Sequence, residues 1–169
     1  CIAHRRDPWW AFTWSSSGLH GHEGVHTGLY MVWEVEVLNY LRDCGYKAKD
    51  VVSTWDGETV VVQLETDGPE KPFPHYGKLV LSTLYSCPNM FVGPCSKYLI
   101  AVGPDINPYD WSDVIWALST RTMPCSDSII IGKGLAEWGD PGAFPGPLGW
   151  RAYGEQMLID ATIKVPERY

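Results

Sequence analysis

The stretch Asp105–Arg121, DINPYDWSDVIWALSTR, follows closely on a short apolar run, Tyr98-Leu99-Ile100-Ala101-Val102. An uninterrupted run of that length is the pattern of a strand buried on both faces. Gly103-Pro104 ends the run and Asn107-Pro108 marks a turn. Asp110 is placed to cap a helix, its carboxylate taking an orphan N–H near Asp113. Within that helix Trp111, Val114, Ile115 and Leu118 share a face at three-and-four spacing. Arg121 suits the carbonyl end of the helix dipole. Pro124 stops the helix, and Ile129-Ile130-Ile131 reads as a second buried strand, completing a βαβ unit of about thirty residues. The expectation is a three-layer α/β fold with a mixed sheet. Tyr98–Val102 is its central strand, and Asp110–Arg121 is the helix covering it.

Working outward, 169 residues suffice for one domain, with or without a fragment of another. The chain is 45% hydrophobic, and no apolar run approaches a membrane span. A net charge of -7 excludes a basic nucleic-acid surface. Five cysteines without a C-x-x-C fit neither a disulfide framework nor a cysteine-based zinc site. Cys87 and Cys95 are a possible pair, but reduced, buried thiols in a cytoplasmic protein are the expectation. Nine tryptophans and nine tyrosines suit a large interface, an aromatic pocket or a thick core.

The chain opens on CIAHRRDPWW, which reads as the tail of a strand running into a proline turn, and so as a piece of something longer. Ser15-Ser16-Ser17-Gly18 is a flexible connector. It divides residues 1–18, the end of one domain, from 19–169, an α/β domain. Next come His20, His22, Glu23 and His26. His22-Glu23-Gly24-Val25-His26 is a literal H-E-x-x-H, which holds zinc only on a helix. Gly21, Gly24 and Gly28 each disfavour that helix by about 1 kcal/mol, and no third ligand stands out. The segment reads as a glycine-rich loop with solvated histidines, and no metal ligand is assigned.

Thr27 is placed to cap a helix over Leu29–Cys44, closed by Gly45. Tyr30, Trp33, Val37, Tyr40 and Leu41 form its apolar stripe, with Glu34, Glu36, Arg42 and Asp43 outward. Asp50–Trp55 and Thr59–Leu64 read as strands around the hairpin dipeptide Asp56-Gly57. His75–Cys87 is a shorter helix with Leu79, Val80 and Leu84 inward. Lys133–Gly149, rich in Gly and Pro, reads as a structured loop.

Several stretches carry a family resemblance. KYLIAVGPDINPYDWSDVIWALSTRTMPCSD resembles the C-terminal signature of the UbiD family of decarboxylases, through Asp110, Trp111, Asp113, Val114, Ile115, Trp116, Ala117, Thr120, Arg121 and Asp127. GEQMLIDATIKVPERY is similar to the family's closing G-x-K-M-G-x-D-A-T-x-K-x-P, through Met157, Asp160, Ala161, Thr162, Lys164 and Pro166. His4, Arg5, Asp7 and Pro8 match the family's I-T-H-R-x-D-P, with Ala3 in place of Thr. Trp116 and Arg121 are read as architectural, a buried aromatic and a helix-end cation.

The resemblance implies that residues 1–18 end the central flavin-binding β-domain and that 19–169 form the C-terminal domain. It implies reversible, non-oxidative decarboxylation of an aromatic or α,β-unsaturated acid with prenylated FMN. Manganese, potassium and most flavin contacts would be held by the N-terminal part, or by a companion subunit, in a cytoplasmic homo-oligomer. Glu23 corresponds to an acidic residue before the family's linking helix and is the candidate catalytic group. Gln156 stands where the family has a lysine near the cofactor phosphate, and is the candidate cofactor contact. An amide there offers only a neutral donor. The alternative is a non-catalytic assembly subunit of such a complex.

Overall fold

The computed structural model describes residues 32–54, 59–88, 93–136, 144–145 and 152–164. Residues 1–18 and their connector, Glu23 with the neighbouring histidines, Thr27, Tyr30 and the Asp56-Gly57 turn all lie outside the described residues. In chain order the elements are helix α1 (residues 32–43), strands β1 (Ala48–Thr54) and β2 (Thr59–Leu64), and helix α2 (Tyr76–Tyr85). Strand β3 (Tyr98–Val102), helix α3 (Trp111–Arg121) and the helical turn α4 (Pro124–Asp127) follow. The chain ends in strands β4 (Ser128–Ala136), β5 (Phe144–Pro145) and β6 (Ala152–Ala161). One mixed sheet runs β1-β2-β3-β6-β4, with β5 also on β6. β3 is central and parallel to both β2 and β6, whereas β1, β4 and β5 are antiparallel to their neighbours.

The period of two along each strand supplies two cores. Val60, Val62, Leu64, Leu99, Ala101 and Leu158 meet Val37 and Leu41 of α1 and Val80, Leu81 and Leu84 of α2. On the other face Val61, Ile100, Val102 and Ala161 meet Val114 and Ala117 of α3. Each buried Val or Leu contributes about 1.5–3 kcal/mol, so both helical layers are held by the sheet rather than by their own propensity. The expected three-layer fold is what these residues build.

Five local expectations are corrected. In α3 the buried face is Val114 and Ala117, while Ile115 and Trp116 are each 52% exposed and Trp111 is also outside. In α2, Leu81 is inside and Leu79 outside. Glu34 does not point away: its Oε1 accepts from Ser53 N (2.5 Å) and Ser53 Oγ (2.6 Å). Arg42 donates to Ala48 O and Lys49 O, so α1 closes the outer edge of β1 against further pairing. Residues 133–136, read as loop, continue strand β4.

The fifth concerns the βαβ unit. β4 does not return beside β3; it pairs antiparallel with β6 at the sheet edge, with Ile130 exposed. The cause is the course of α3. Tyr109, just before it, reaches Asp50 at the start of β1, and Arg121, its last residue, reaches Asp67 and Asp105. Both ends of α3 therefore lie at the carboxyl end of the parallel strands. The next strand starts at that same end and has to run the other way.

Candidate functional site at the carboxyl end of the sheet

At that end the loops after β2, β3, α3 and β6 are tied together by charge. Asp67 caps the 3-10 turn Gly68–Glu70, its Oδ1 accepting from Gly68 N and from Ile163 N, each at 2.7 Å. Arg121 forks onto Asp105, Nη1 to Oδ1 at 3.0 Å and Nη2 to Oδ2 at 2.5 Å, and Nη1 lies 3.6 Å from Asp67 Oδ2. These loops approach so closely that only Gly103 fits between them. A Cβ there would lie 2.8 Å from Asp67 Cγ and 2.9 Å from Asp105 Oδ1. Lys71, buried, donates to Thr162 Oγ1 (2.9 Å) and Ile163 O (2.6 Å).

Beside this lies a second group. Lys164 Nζ is 3.0 Å from Asp160 Oδ1 and 3.7 Å from Asp127 Oδ2, and donates to Asp160 O at 2.6 Å. Asp160 Oδ1 also accepts from Thr162 N (3.1 Å) and Thr162 Oγ1 (2.5 Å). Asp127 Oδ2 accepts from Met123 N at 2.8 Å, locking the turn that reverses the chain into β4. Asp127 and Asp160 are fully buried, and Gly77 at the start of α2 packs directly on the Asp160 carboxylate.

The electrostatics differ by position. Burial pushes the Asp67 carboxyl up, against the opposing pull of its backbone donors, Lys71 and Arg121. Burial also pushes Asp160 up, but Lys164 and Thr162 together outweigh it and hold the carboxyl below the usual range. Hydrogen bonds from Arg121 hold Asp105 low. Carboxylates locked onto cations in this way are acceptors and anchors.

The sequence signature is thus explained in space. Asp110, accepting from Ser112 N at 2.8 Å, caps α3 as expected. Arg121, Asp127, Asp160, Thr162 and Lys164, from two distant segments, converge on one end of one sheet. Arg121, read as a helix-end cation, does stand in the last turn of α3, where it pairs with Asp105 and approaches Asp67. Trp116 is not the buried aromatic expected; it lies exposed under the Arg121 guanidinium, 4.9 Å from ring centroid to Cζ. Asp67, Lys71 and Gly77 carry no signal in a single sequence, because isolated loop charges and a helix glycine fit any fold.

Gln156 lies elsewhere, on β6 opposite Ile131 of β4 and only 2% exposed. Its Nε2 donates to Leu135 O, and its Oε1 is buried without a hydrogen-bond partner, against Gly134. A phosphate offers only acceptors. One of its two amide hydrogens is engaged within the sheet and the side chain is only 2% exposed, so a direct phosphate contact would need β4 to move aside. The pairing register slips between Ile131 and Gly134, where Lys133 takes a φ of 59°, and Gln156 holds this bulge onto β6. Among the described residues no group of His, Cys, Asp and Glu is arranged for a metal, and no helix is long and apolar enough to cross a membrane. Cys87 and Cys95 are buried as thiols.

Residues 30–161 match the family profile of the 3-octaprenyl-4-hydroxybenzoate carboxy-lyase C-terminal domain, UbiD_C. The chain belongs to this family. Among solved structures, this UbiD C-terminal domain is similar to vanillic acid decarboxylase of Sedimentibacter hydroxybenzoicus in its open form. The two are 27% identical with a TM-score of 0.63, over 79% of this chain and 26% of the other. The UbiD-class enzyme HmfF from Pelotomaculum thermopropionicum, in complex with FMN, shares the fold at 23% identity and a TM-score of 0.60, over 78% of this chain and 26% of that one. The apo 3,4-dihydroxybenzoic acid decarboxylase AroY of Klebsiella pneumoniae shares it at 18% identity and 0.61, over 78% and 27%. The domain therefore spans about a quarter of the length of the solved relatives it matches.

Proposed function

We propose that this chain is the C-terminal part of a reversible, non-oxidative decarboxylase of an aromatic or α,β-unsaturated carboxylic acid. It acts only together with its N-terminal part, as one polypeptide or a companion subunit, in a cytoplasmic homo-oligomer. The family match over residues 30–161 carries this reading. The solved vanillic acid decarboxylase, 27% identical, supports an aromatic acid as the substrate class. Prenylated FMN, with divalent manganese and potassium, is assigned in this reading to the N-terminal part. Glu23 is the residue of this chain proposed to act directly on substrate. Gln156 is proposed to serve the cofactor only at one remove, by holding the β4 bulge in place.

The second reading, a non-catalytic assembly module, is favoured by one observation. The outward face of α3 presents Trp111, Ile115 and Trp116, an apolar surface of the kind found at subunit contacts. The two readings part in one experiment. The chain is co-produced with the upstream flavin-binding part, and release of CO2 from vanillic acid and related acids is measured with Glu23 intact and as Glu23→Gln. Loss of turnover in Glu23→Gln at unchanged flavin content is the expected result. Unchanged turnover removes Glu23 from the chemistry. Turnover by the upstream part without this chain leaves it the assembly role.

A further inference from the structure

β2 and β3 are parallel neighbours, and the chain leaves them toward opposite faces of the sheet. α2 packs on the face of Val60, Val62 and Leu99, and α3 on the face of Val61, Ile100 and Val102. Where successive connections diverge in this way, an open sheet leaves a crevice outside the carboxyl ends of its strands, the usual place for a ligand. This sheet has a cleft of about 380 Å³ at that point, lined in part by Lys49, Asp50, Gln63, Asp105, Asn107 and Tyr109.

The groups in the cleft are mostly acceptors. Gln63 is 5% exposed, and its Nε2 donates to Pro104 O (3.1 Å) and Ile106 O (2.7 Å). Both amide hydrogens are thereby engaged, and Oε1 is left without a hydrogen-bond partner among the described residues. Asp50 accepts from Tyr109 OH and from Val51 N, each at 2.9 Å; both are neutral donors, and no cation pairs with Asp50 among the described residues. Asp105, by contrast, is neutralised by Arg121. Asn107 Oδ1 accepts from Tyr109 N at 3.1 Å. The Tyr109 ring is 67% exposed and forms a free aromatic wall. Lys49, exposed at the rim, is the cation among the lining residues.

We infer that this cleft binds a small organic ammonium group. Asp50 supplies the charge, Gln63 Oε1 accepts a hydrogen bond from the ligand N–H, and the Tyr109 ring lies against the cation. The assignment is independent of the decarboxylase reading, since none of these residues belongs to it.

The test is a titration of the 169-residue chain with ethanolammonium, followed through the NMR signals of the Gln63 side-chain amide and the Asn107 and Tyr109 backbone amides. Tetramethylammonium, which lacks N–H donors, and acetate are run in parallel. Saturable shifts with ethanolammonium, weaker ones with tetramethylammonium and none with acetate are expected. Asp50→Asn should weaken ethanolammonium binding about tenfold, the equivalent of one charge-assisted hydrogen bond. Tyr109→Leu, at an exposed position that does not endanger folding, should weaken both cations severalfold. Lys49→Met should tighten them by removing a like charge. Absence of saturation by either cation, saturation by acetate instead, or cation binding unchanged in Tyr109→Leu would each overturn the assignment.

Discussion

Replacing Lys164 by Met tests whether the carboxyl end of the sheet is held by charge. Lys164 Nζ is 3.0 Å from Asp160 Oδ1 and 3.7 Å from Asp127 Oδ2, and both carboxylate side chains are wholly buried. At an effective dielectric constant of about 20 the shorter contact alone amounts to roughly 5 kcal/mol of attraction. The desolvation of the carboxylates is already part of the folded state. Removing the cation while leaving them in place should therefore cost about 3–5 kcal/mol, the range for breaking a buried pair from one side. The assay is urea unfolding of wild type and Lys164→Met, repeated across pH. In the wild type the folded Asp160 pKa lies below its unfolded value, so its stabilisation is present above about pH 4 and is lost as pH falls through the folded pKa. In Lys164→Met burial is opposed only by Thr162, and the folded pKa should move above the unfolded one. Its contribution then changes sign, being present below about pH 4 and lost as pH rises through the folded pKa. The gap between the two proteins should accordingly be widest near neutrality and narrow as pH falls toward about 4. A gap under about 1 kcal/mol, or one that does not change with pH, would refute the charge argument.

Gly77→Ala should destabilise by about 1–3 kcal/mol despite alanine's helix propensity, because the new Cβ would lie 2.5 Å from Asp160 Cγ; urea unfolding showing a neutral or stabilised variant would contradict this. Gln156→Lys should lower the unfolding midpoint rather than improve anion binding, since an ammonium at a position 2% exposed must be buried or must displace β4; thermal melts decide it. Arg121→Met should cost less than Lys164→Met, because Asp105 is half-exposed, and should leave Asp67 harder to ionise still; NMR titration of the Asp67 carboxyl should show its midpoint moving up. The chain without its upstream part should release no CO2 from vanillic acid under conditions where the complete enzyme does.

Local chemistry carried β3 and α3 from the sequence alone. A run of apolar, largely branched residues suits a strand buried on both faces, and Asp110 before Trp111 satisfies an orphan N–H wherever the helix packs. The two signature segments were legible for the same reason, as runs of neighbouring residues, and they were enough to indicate the family before any contact was known. Which residues of α3 face inward was not legible. Trp111, Val114, Ile115 and Leu118 and the pair Val114 and Ala117 obey the same spacing, and period alone does not set the phase when apolar residues surround the helix. The sheet set it, bringing small Ala117 against Val61, Ile100 and Val102 and leaving Ile115 and Trp116 outside. The same holds for Leu79 and Leu81 in α2.

Direction and charge partnership belonged to the tertiary structure. An apolar run such as Ile129-Ile130-Ile131 announces a strand but not its neighbour, and both ends of α3 had to be placed before β4 could be seen to run antiparallel to β6 at an edge. Gln156 in its motif gave no sign of its partner, because Leu135 O is brought to it by the pairing of β4 with β6. Asp67, Lys71 and Asp160 are single charges scattered along the chain. What each does depends on the distance to an opposite charge and on exclusion of water, and both are properties of the packed end of the sheet rather than of any stretch of sequence.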